Sequence, residues 1–239
     1  MPVHPAYLGY QWLWFTLDLL FPPTCGGCNE EGTRWCEACQ EKVEIISPPI
    51  CGICGGQILE QGLCVNCRQN TPSIHAIRSW AFFNGPLRNA IHKLKYRRDI
   101  SLGIVMARPI IDLFSKLDWD IDIVSPVPLG LARMQERGYN QSVLLARPLA
   151  MSTGIKYCPQ ALKRVRETIS QVGLTVKQRH DNVYNAFRSS SEVVEGKSVL
   201  IVDDVMTSGA TLDSCAAALF QSGARCVYGL TLARAKKSF

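Results

Sequence analysis

Thirteen consecutive residues, Val199-Leu200-Ile201-Val202-Asp203-Asp204-Val205-Met206-Thr207-Ser208-Gly209-Ala210-Thr211, bring two carboxylates, a glycine and three hydroxyls together behind four apolar β-formers. A short continuous apolar run fits a strand buried on both faces of a parallel sheet, and ligands of open α/β sheets sit beyond the carboxyl ends of such strands. Leu212, Cys215, Ala216 and Leu219 then recur at helical spacing, so the polar turn is expected at a helix N-terminus. Free N–H groups and the positive dipole end there suit a phosphate, while paired acidic oxygens suit sugar hydroxyls or Mg²⁺. The G-x-x-x-x-G-K-[ST] spacing of a P-loop is missing.

A second chemistry is written in four C-x-x-C pairs: Cys25/Cys28, Cys36/Cys39, Cys51/Cys54 and Cys64/Cys67. Eight thiolates make two tetrahedral Zn²⁺ sites, and a two-residue gap lets one turn present both sulfurs to one ion. The spacing looks like two small zinc ribbons, Cys25, Cys28, Cys36 and Cys39 forming one site and Cys51, Cys54, Cys64 and Cys67 the other; interleaved pairing of the knuckles satisfies it too. Disulfides or redox C-x-x-C chemistry are the competing readings, and the fourfold repetition without a secretory signal stands against both. Cys158, Cys215 and Cys226 lie outside the pattern and read as small apolar core residues.

Cations form the third set. The net charge of +6 is moderate, but Arg88, Lys93, Lys95, Arg97 and Arg98 crowd one segment in which Leu87, Ala90, Ile91 and Leu94 mark the opposite helical face. That face is either solvated or a contact for phosphate-rich ligands, with Lys93, Lys95, Arg97 and Arg98 as the candidate contacts to nucleic acid. Arg133 and Arg137 follow an expected strand and its Ser125-Pro126-Val127-Pro128 turn, on the same sheet edge as the acids. Guanidinium forks bind phosphate oxygens bidentately, which makes both candidates for a pyrophosphate; pairing with Glu136 is the structural alternative. Lys163, Arg164, Arg166, Thr168 and Gln171, then Leu174, Arg179, Asn182, Ala186 and Phe187, read as a mobile flap over the site. His75, His92 and His180 read as structural histidines.

The 239 residues accommodate a medium domain plus a small accessory one. Residues 1–72 are rich in Cys, Gly and Pro and too poor in aliphatics to fold without metal, so they form an N-terminal helix and double zinc-ribbon domain. Residues 73–239 alternate strand and helix patterns, with strands expected at 74–83, 121–124 and 198–202 and one at 227–232 closing the sheet. This is an α/β fold with a mostly parallel sheet. The two parts are expected to have separate cores. Pro109 and Pro148 fall inside helical patterns and are expected to start, kink or break those helices. No Lys or Arg occurs in the first 33 residues, so the n-region of a signal peptide is missing, and Asp18 interrupts the apolar run at 12–21. Trp12, Leu13, Phe15, Leu17, Leu20 and Phe21 are expected on a short packed helix, with a membrane-surface or docking role as the lesser reading. No transmembrane segment is expected, and the reading is of a cytoplasmic protein with metal-bound thiols.

The strand-acid-turn string resembles the motif with which type I phosphoribosyltransferases bind phosphoribosyl pyrophosphate. By that resemblance Asp203 and Asp204 hold the ribose hydroxyls and serve as the catalytic pair, Thr207, Ser208, Gly209, Ala210 and Thr211 cradle the 5′-phosphate, and Val205 and Met206 belong to the same binding motif, with Mg²⁺ bridging ribose and pyrophosphate. The chain as a whole resembles the ComF/ComFC competence-protein family, which includes GntX-like proteins. The match runs in order through Leu20-Phe21-Pro22 and the cysteine knuckles, Ile91-His92-Lys93-Leu94-Lys95-Tyr96, Val127-Pro128, Arg137-Gly138-Tyr139-Asn140-Gln141, Arg164/Arg166/Thr168/Gln171, Asn185-Ala186-Phe187 and the acid motif. The resemblance implies a double zinc ribbon joined to a type I phosphoribosyltransferase-like domain that supports DNA uptake in natural transformation, beside a DNA-translocating helicase and single-stranded DNA. A metabolic phosphoribosyltransferase and a non-catalytic nucleotide sensor are the other classes of function. Seven residues follow Leu232, so no C-terminal hood for a nucleobase is expected.

Overall fold

The computed structural model describes Tyr7, Gly9, Trp12, residues 22–166 and residues 185–236. Apart from Trp12, the apolar segment 12–21 lies outside the described residues, as do His180 and, of the expected flap, Thr168, Gln171, Leu174, Arg179 and Asn182; Ala186 and Phe187, expected in that flap, are instead buried in the core with Ala161 and Leu162. The ribbons contribute two single-turn helices, α1 (Glu37–Glu41) and α2 (Val65–Gln69), which carry Cys39 and Cys67. Then follow β1 (Ala76–Phe82), α3 (Gly85–Tyr96), α4 (Leu102–Phe114), β2 (Ile123–Pro126), α5 (Leu131–Arg137), α6 (Gln141–Thr153), β3 (Lys156–Tyr157), β4 (Lys163–Arg164), β5 (Phe187–Arg188), α7 (Ser191–Val194), β6 (Ser198–Met206), α8 (Ala210–Gln221) and β7 (Cys226–Arg234).

Five strands form one parallel sheet in the order β1-β7-β6-β2-β3, and β4 pairs antiparallel with β5. The continuous apolar stretch of β6 is explained by its position: β7 and β2 flank it, and helices cover both faces. On one face Leu87, Ile91 and Leu94 of α3, Leu102, Met106 and Ile110 of α4, and Leu145 and Leu149 of α6 pack on Leu200, Val202 and Leu230. On the other, Leu212, Cys215 and Leu219 of α8 pack on Val199, Ile201 and Val227. From β2 the chain moves outward to β3, and from β6 it moves the opposite way to β7. The crevice between the carboxyl ends of β2 and β6 is therefore the topological switch point, where α/β sheets bind ligands.

Several expectations need correction. The strand at 226–234 does not close the sheet but lies inside it, between β1 and β6, because β1 pairs along its outer side. Pro109 and Pro148 neither start nor end a helix; α4 and α6 run through them. Each proline removes one hydrogen bond, but tertiary burial holds both helices: they approach so closely that a Cβ on Gly103 would lie 2.7 Å from Leu144 Cβ. The cores are not separate either. Cys51, Cys54 and Cys67 share one buried cluster with Ile74, Ile77, Leu212 and Val227, whereas Cys25, Cys36 and Cys39 form a small cluster of their own. Cys158 and Cys215 are buried as expected, and Cys226 is half-buried. Among the described residues no helix is long and apolar enough to cross a membrane.

Candidate functional site

Strand β6 continues past the end of β2 and carries Asp203 and Asp204 out to the crevice. Val127 N still donates to Val202 O at 2.9 Å, so the acids begin where the β2 pairing ends. Asp203 Oδ1 accepts from Ser142 Oγ and from the Asp204 amide, both at 2.9 Å. Burial first, and then the charge of Asp204, push the Asp203 carboxyl up to about 7, against the opposing pull of Lys95 and the Ser142 hydroxyl. Asp204 is buried and pairs with Lys95 Nζ at 2.9 Å.

The turn after the acids is shaped by Gly209, which takes the left-handed conformation (φ 90°) as the N-cap of α8. A Cβ there would stand 2.9 Å from Met206 Cε, a flexible chain end that can move aside, so it is the left-handed backbone that disfavours a side chain at this position. Ala210 N is 3.4 Å from Ser208 Oγ, and Thr207, Ser208 and Thr211 line the remainder of the turn half-buried. Val205 and Met206 finish the strand, with Met206 O accepting from Ala235 N at 2.8 Å. Hard oxygen donors beside a glycine-capped helix N-terminus fit Mg²⁺ and a phosphorylated sugar; Asp203, Asp204 and the turn 207–211 are the residues that would hold them.

Opposite lies the segment after β2. Arg133 is half-buried on α5, whose last residue, Arg137, is buried with its guanidinium 5.1 Å from the centre of the Tyr96 ring. Asn140 caps α6 through Ser142 N (3.0 Å) and reaches Val127 O (2.8 Å), and Tyr139 OH donates to Leu94 O. Buried polar atoms normally find a partner, yet Arg137 Nε and Gln141 Nε2 have none among the described residues. Donors left in that state fit an anion. Ser142, Gln141 and the role of Lys95 were missed by the sequence reading. The available signal was Asn140, a good N-cap directly before the apolar pattern of α6, which marks Gln141 and Ser142 as the first helical turn at the sheet's carboxyl edge.

The basic segment divides among three neighbours. Lys95 meets Asp204; Lys93 Nζ donates to Cys25 O at 2.7 Å; Arg98 Nη2 donates to Glu136 O at 3.3 Å. Arg88, Asn89, His92, Lys93 and Arg97, with one carboxylate, Asp99, also line a groove of about 890 Å³ whose other wall is Thr24, Gly27 and Asn29 of the first ribbon. Burial first, then the charges of Arg88 and Lys95, hold the His92 imidazole below its usual range.

The cysteines gather in sequential sets, Cys25, Cys28, Cys36 and Cys39 in one and Cys51, Cys54, Cys64 and Cys67 in the other, the sulfurs of each set lying within 4.8 Å of one another. Sequential pairing is thus correct and interleaving is not. At Cys25 burial opposes ionisation, but N–H donors at Cys36, Cys28 and Gly27 together bring the thiol down to about 6; Cys51 repeats this with Cys64, Cys54 and Ile53, also to about 6. Cys39 and Cys67 are pushed up, by burial first and then by the neighbouring sulfurs. A divalent metal reverses that second effect by neutralising the sulfurs it binds. Both sets are Cys₄ zinc-ribbon sites suited to structural Zn²⁺. The second ribbon is further flanked by cations, Arg234 Nη1 donating to Cys54 O at 2.6 Å and Arg78 Nη1 to Gly52 O at 3.1 Å.

Residues 16–73 match the double zinc ribbon domain and residues 102–238 the phosphoribosyl transferase domain. The molecule is therefore a phosphoribosyltransferase-type α/β domain joined to a double zinc ribbon. It is 34% identical over 191 residues to the DNA utilization protein YhgH of Salmonella typhimurium, covering 77% of this chain and 84% of that one. It is 31% identical over 208 residues to Competence protein F of Haemophilus influenzae (84% and 90% covered) and 27% identical over 207 residues to Competence protein ComFC of Bacillus subtilis (83% of each). The chain belongs to the ComF/ComFC family.

Proposed function

We propose that the crevice between β2 and β6 binds phosphoribosyl pyrophosphate, or a closely related phosphoribosyl or DNA-end phosphate, together with Mg²⁺, and that the chain uses this site in handling DNA taken up in natural transformation. The observation that carries the reading is the adjacency, at the switch point of a parallel sheet, of two acids and a glycine-capped helix N-terminus. Asp203 and Asp204 orient ribose hydroxyls, the 207–211 turn receives the 5′-phosphate, and Arg137, Gln141 and Arg133 face the pyrophosphate charge. Mg²⁺ held by Asp203 and Asp204 would supply charge neutralisation of the kind that favours loss of pyrophosphate from a ribose carbon. Replacing Asp203 and Asp204 together with Asn is expected to keep the fold and abolish Mg²⁺-dependent binding of phosphoribosyl pyrophosphate in calorimetry. Equal binding by wild type and the double variant, or none by either, would sink the reading.

The groove between α3 and the first ribbon supports single-stranded DNA as the macromolecular ligand, since Arg88, Lys93 and Arg97 line it and the relatives are named for competence and DNA utilization. Arg88 and Arg97 are the contacts to test, because Lys93, Lys95 and Arg98 are engaged elsewhere. Replacing both with Ala should weaken single-stranded DNA binding and flatten its salt slope by about 1.4, at roughly 0.7 per phosphate contact. A slope identical to wild type would return the groove to solvent. Work in the cytoplasm, beside a DNA-translocating helicase, belongs to the same proposal.

A further inference from the structure

Asp204, one of the two acids at the mouth of the crevice, already holds a cation that belongs to the chain itself. Lys95 Nζ stands 2.9 Å from Asp204 Oδ1, and the two side chains are only 21% and 8% exposed. Lys95 does not come from either loop bordering the crevice; it comes from the last turn of α3. That turn is fixed from several directions. Tyr139 OH donates to Leu94 O, the Arg137 guanidinium stacks on Tyr96, and Lys93 Nζ is bound to Cys25 O of the first ribbon. The ammonium is thus presented to the acid by a helix with little freedom to withdraw, and only the lysine stem can move.

A divalent cation needs the carboxylate oxygens that Lys95 occupies. We propose that Lys95 is a built-in competitor for the divalent-cation position at Asp204, an inference that rests on reading the acids as the Mg²⁺ and ribose site. In the ligand-free chain it neutralises a buried carboxylate whose charge would otherwise stand alone, so metal by itself binds weakly. Metal binding detaches the ammonium, which stays within one side-chain length of the crevice. A phosphorylated ligand brings the negative charge that compensates it there, so cation and ligand enter together.

The test uses the full-length, zinc-loaded chain and Mn²⁺ alone, titrated by electron paramagnetic resonance. Lys95→Met is expected to bind Mn²⁺ about tenfold more tightly than wild type. Lys95→Gln is expected to behave alike and serves where the Met variant folds poorly, while Asp204→Asn loses the site. Equal or weaker Mn²⁺ binding in the neutral variants would overturn the proposal. An independent measurement leaves the wild-type sequence intact: after reductive ¹³C-methylation the Lys95 signal, assigned by its loss in Lys95→Arg, should move on saturation with Mg²⁺. A signal that stays in place would equally overturn it. Failure of phosphoribosyl pyrophosphate to bind removes the functional reading but leaves this competition measurable. Equal Mn²⁺ affinities with ligand binding intact remove only the role given to Lys95.

Discussion

A carboxylate whose proton affinity is raised by folding makes the folded state less stable as the solution becomes more alkaline. Asp203 is such a group, with an unfolded value near the ordinary ~3.9 and a folded one of about 7. Between those values the native chain keeps a proton that the unfolded chain has lost, so the contribution is fully present at the acid end and disappears as pH rises through 7. Asp203→Asn retains an oxygen to accept from Ser142 Oγ and Asp204 N while removing the charge. Urea unfolding should therefore show the variant more stable than wild type at pH 8, by up to about 4 kcal/mol (roughly three pH units at ~1.4 kcal/mol each), with the gain vanishing near pH 4. A gain of the same size at both pH values would show that Asp203 carries its charge without penalty.

At the level of elements, the second ribbon and the sheet exchange charge as well as apolar contact. Four thiolates on one Zn²⁺ leave a net negative site, and Arg234 at the end of β7 is buried with its guanidinium on the Cys54 carbonyl. Arg234→Met should loosen the second zinc, visible as one of two metals released early to a chromophoric chelator, while the other is released as in wild type. The β6 motif, the cysteine knuckles and the apolar face of α3 were legible in the sequence because each rests on local spacing. Leu87, Ala90, Ile91 and Leu94 are all buried as their period requires. What was not legible depends on contacts distant along the chain. The cations of α3 look alike in sequence, and only the packed structure sends Lys95 to Asp204 and Lys93 to the first ribbon. The interior position of β7 was hidden because a buried strand reads the same in any place in a parallel sheet.

For the whole molecule, the unequal way the ribbons join the main domain decides what each metal stabilises. Cys51→Ser should lower the thermal stability of the entire chain, because Cys51, Cys54 and Cys67 lie in the cluster that also holds Ile77, Leu212 and Val227. Cys25→Ser should unfold mainly the first ribbon and its wall of the groove, since Cys25, Cys36 and Cys39 cluster apart from the main core and reach it through Trp35, which packs on both. Calorimetric scans separate the two: one lowered transition for Cys51→Ser, an early minor transition ahead of a near-normal main one for Cys25→Ser. Identical scans for the two variants would contradict this division.

The outer side of β1 has a consequence of another kind. Ile46 N donates to Trp80 O, Phe82 N to Glu44 O, and Ile77 N to Ile53 O at 2.6 Å, with Ile45 bridging antiparallel to Ala81. The segments that follow and bridge the cysteine knuckles thus occupy hydrogen-bonding positions that a parallel sheet otherwise leaves open at its border. An open border strand of mostly buried, apolar sequence is a template for the same strand of another molecule. Zinc in this chain accordingly guards against self-association: starved of metal, the molecule would bare a sticky edge, and its first symptom would be oligomers that appear after chelation.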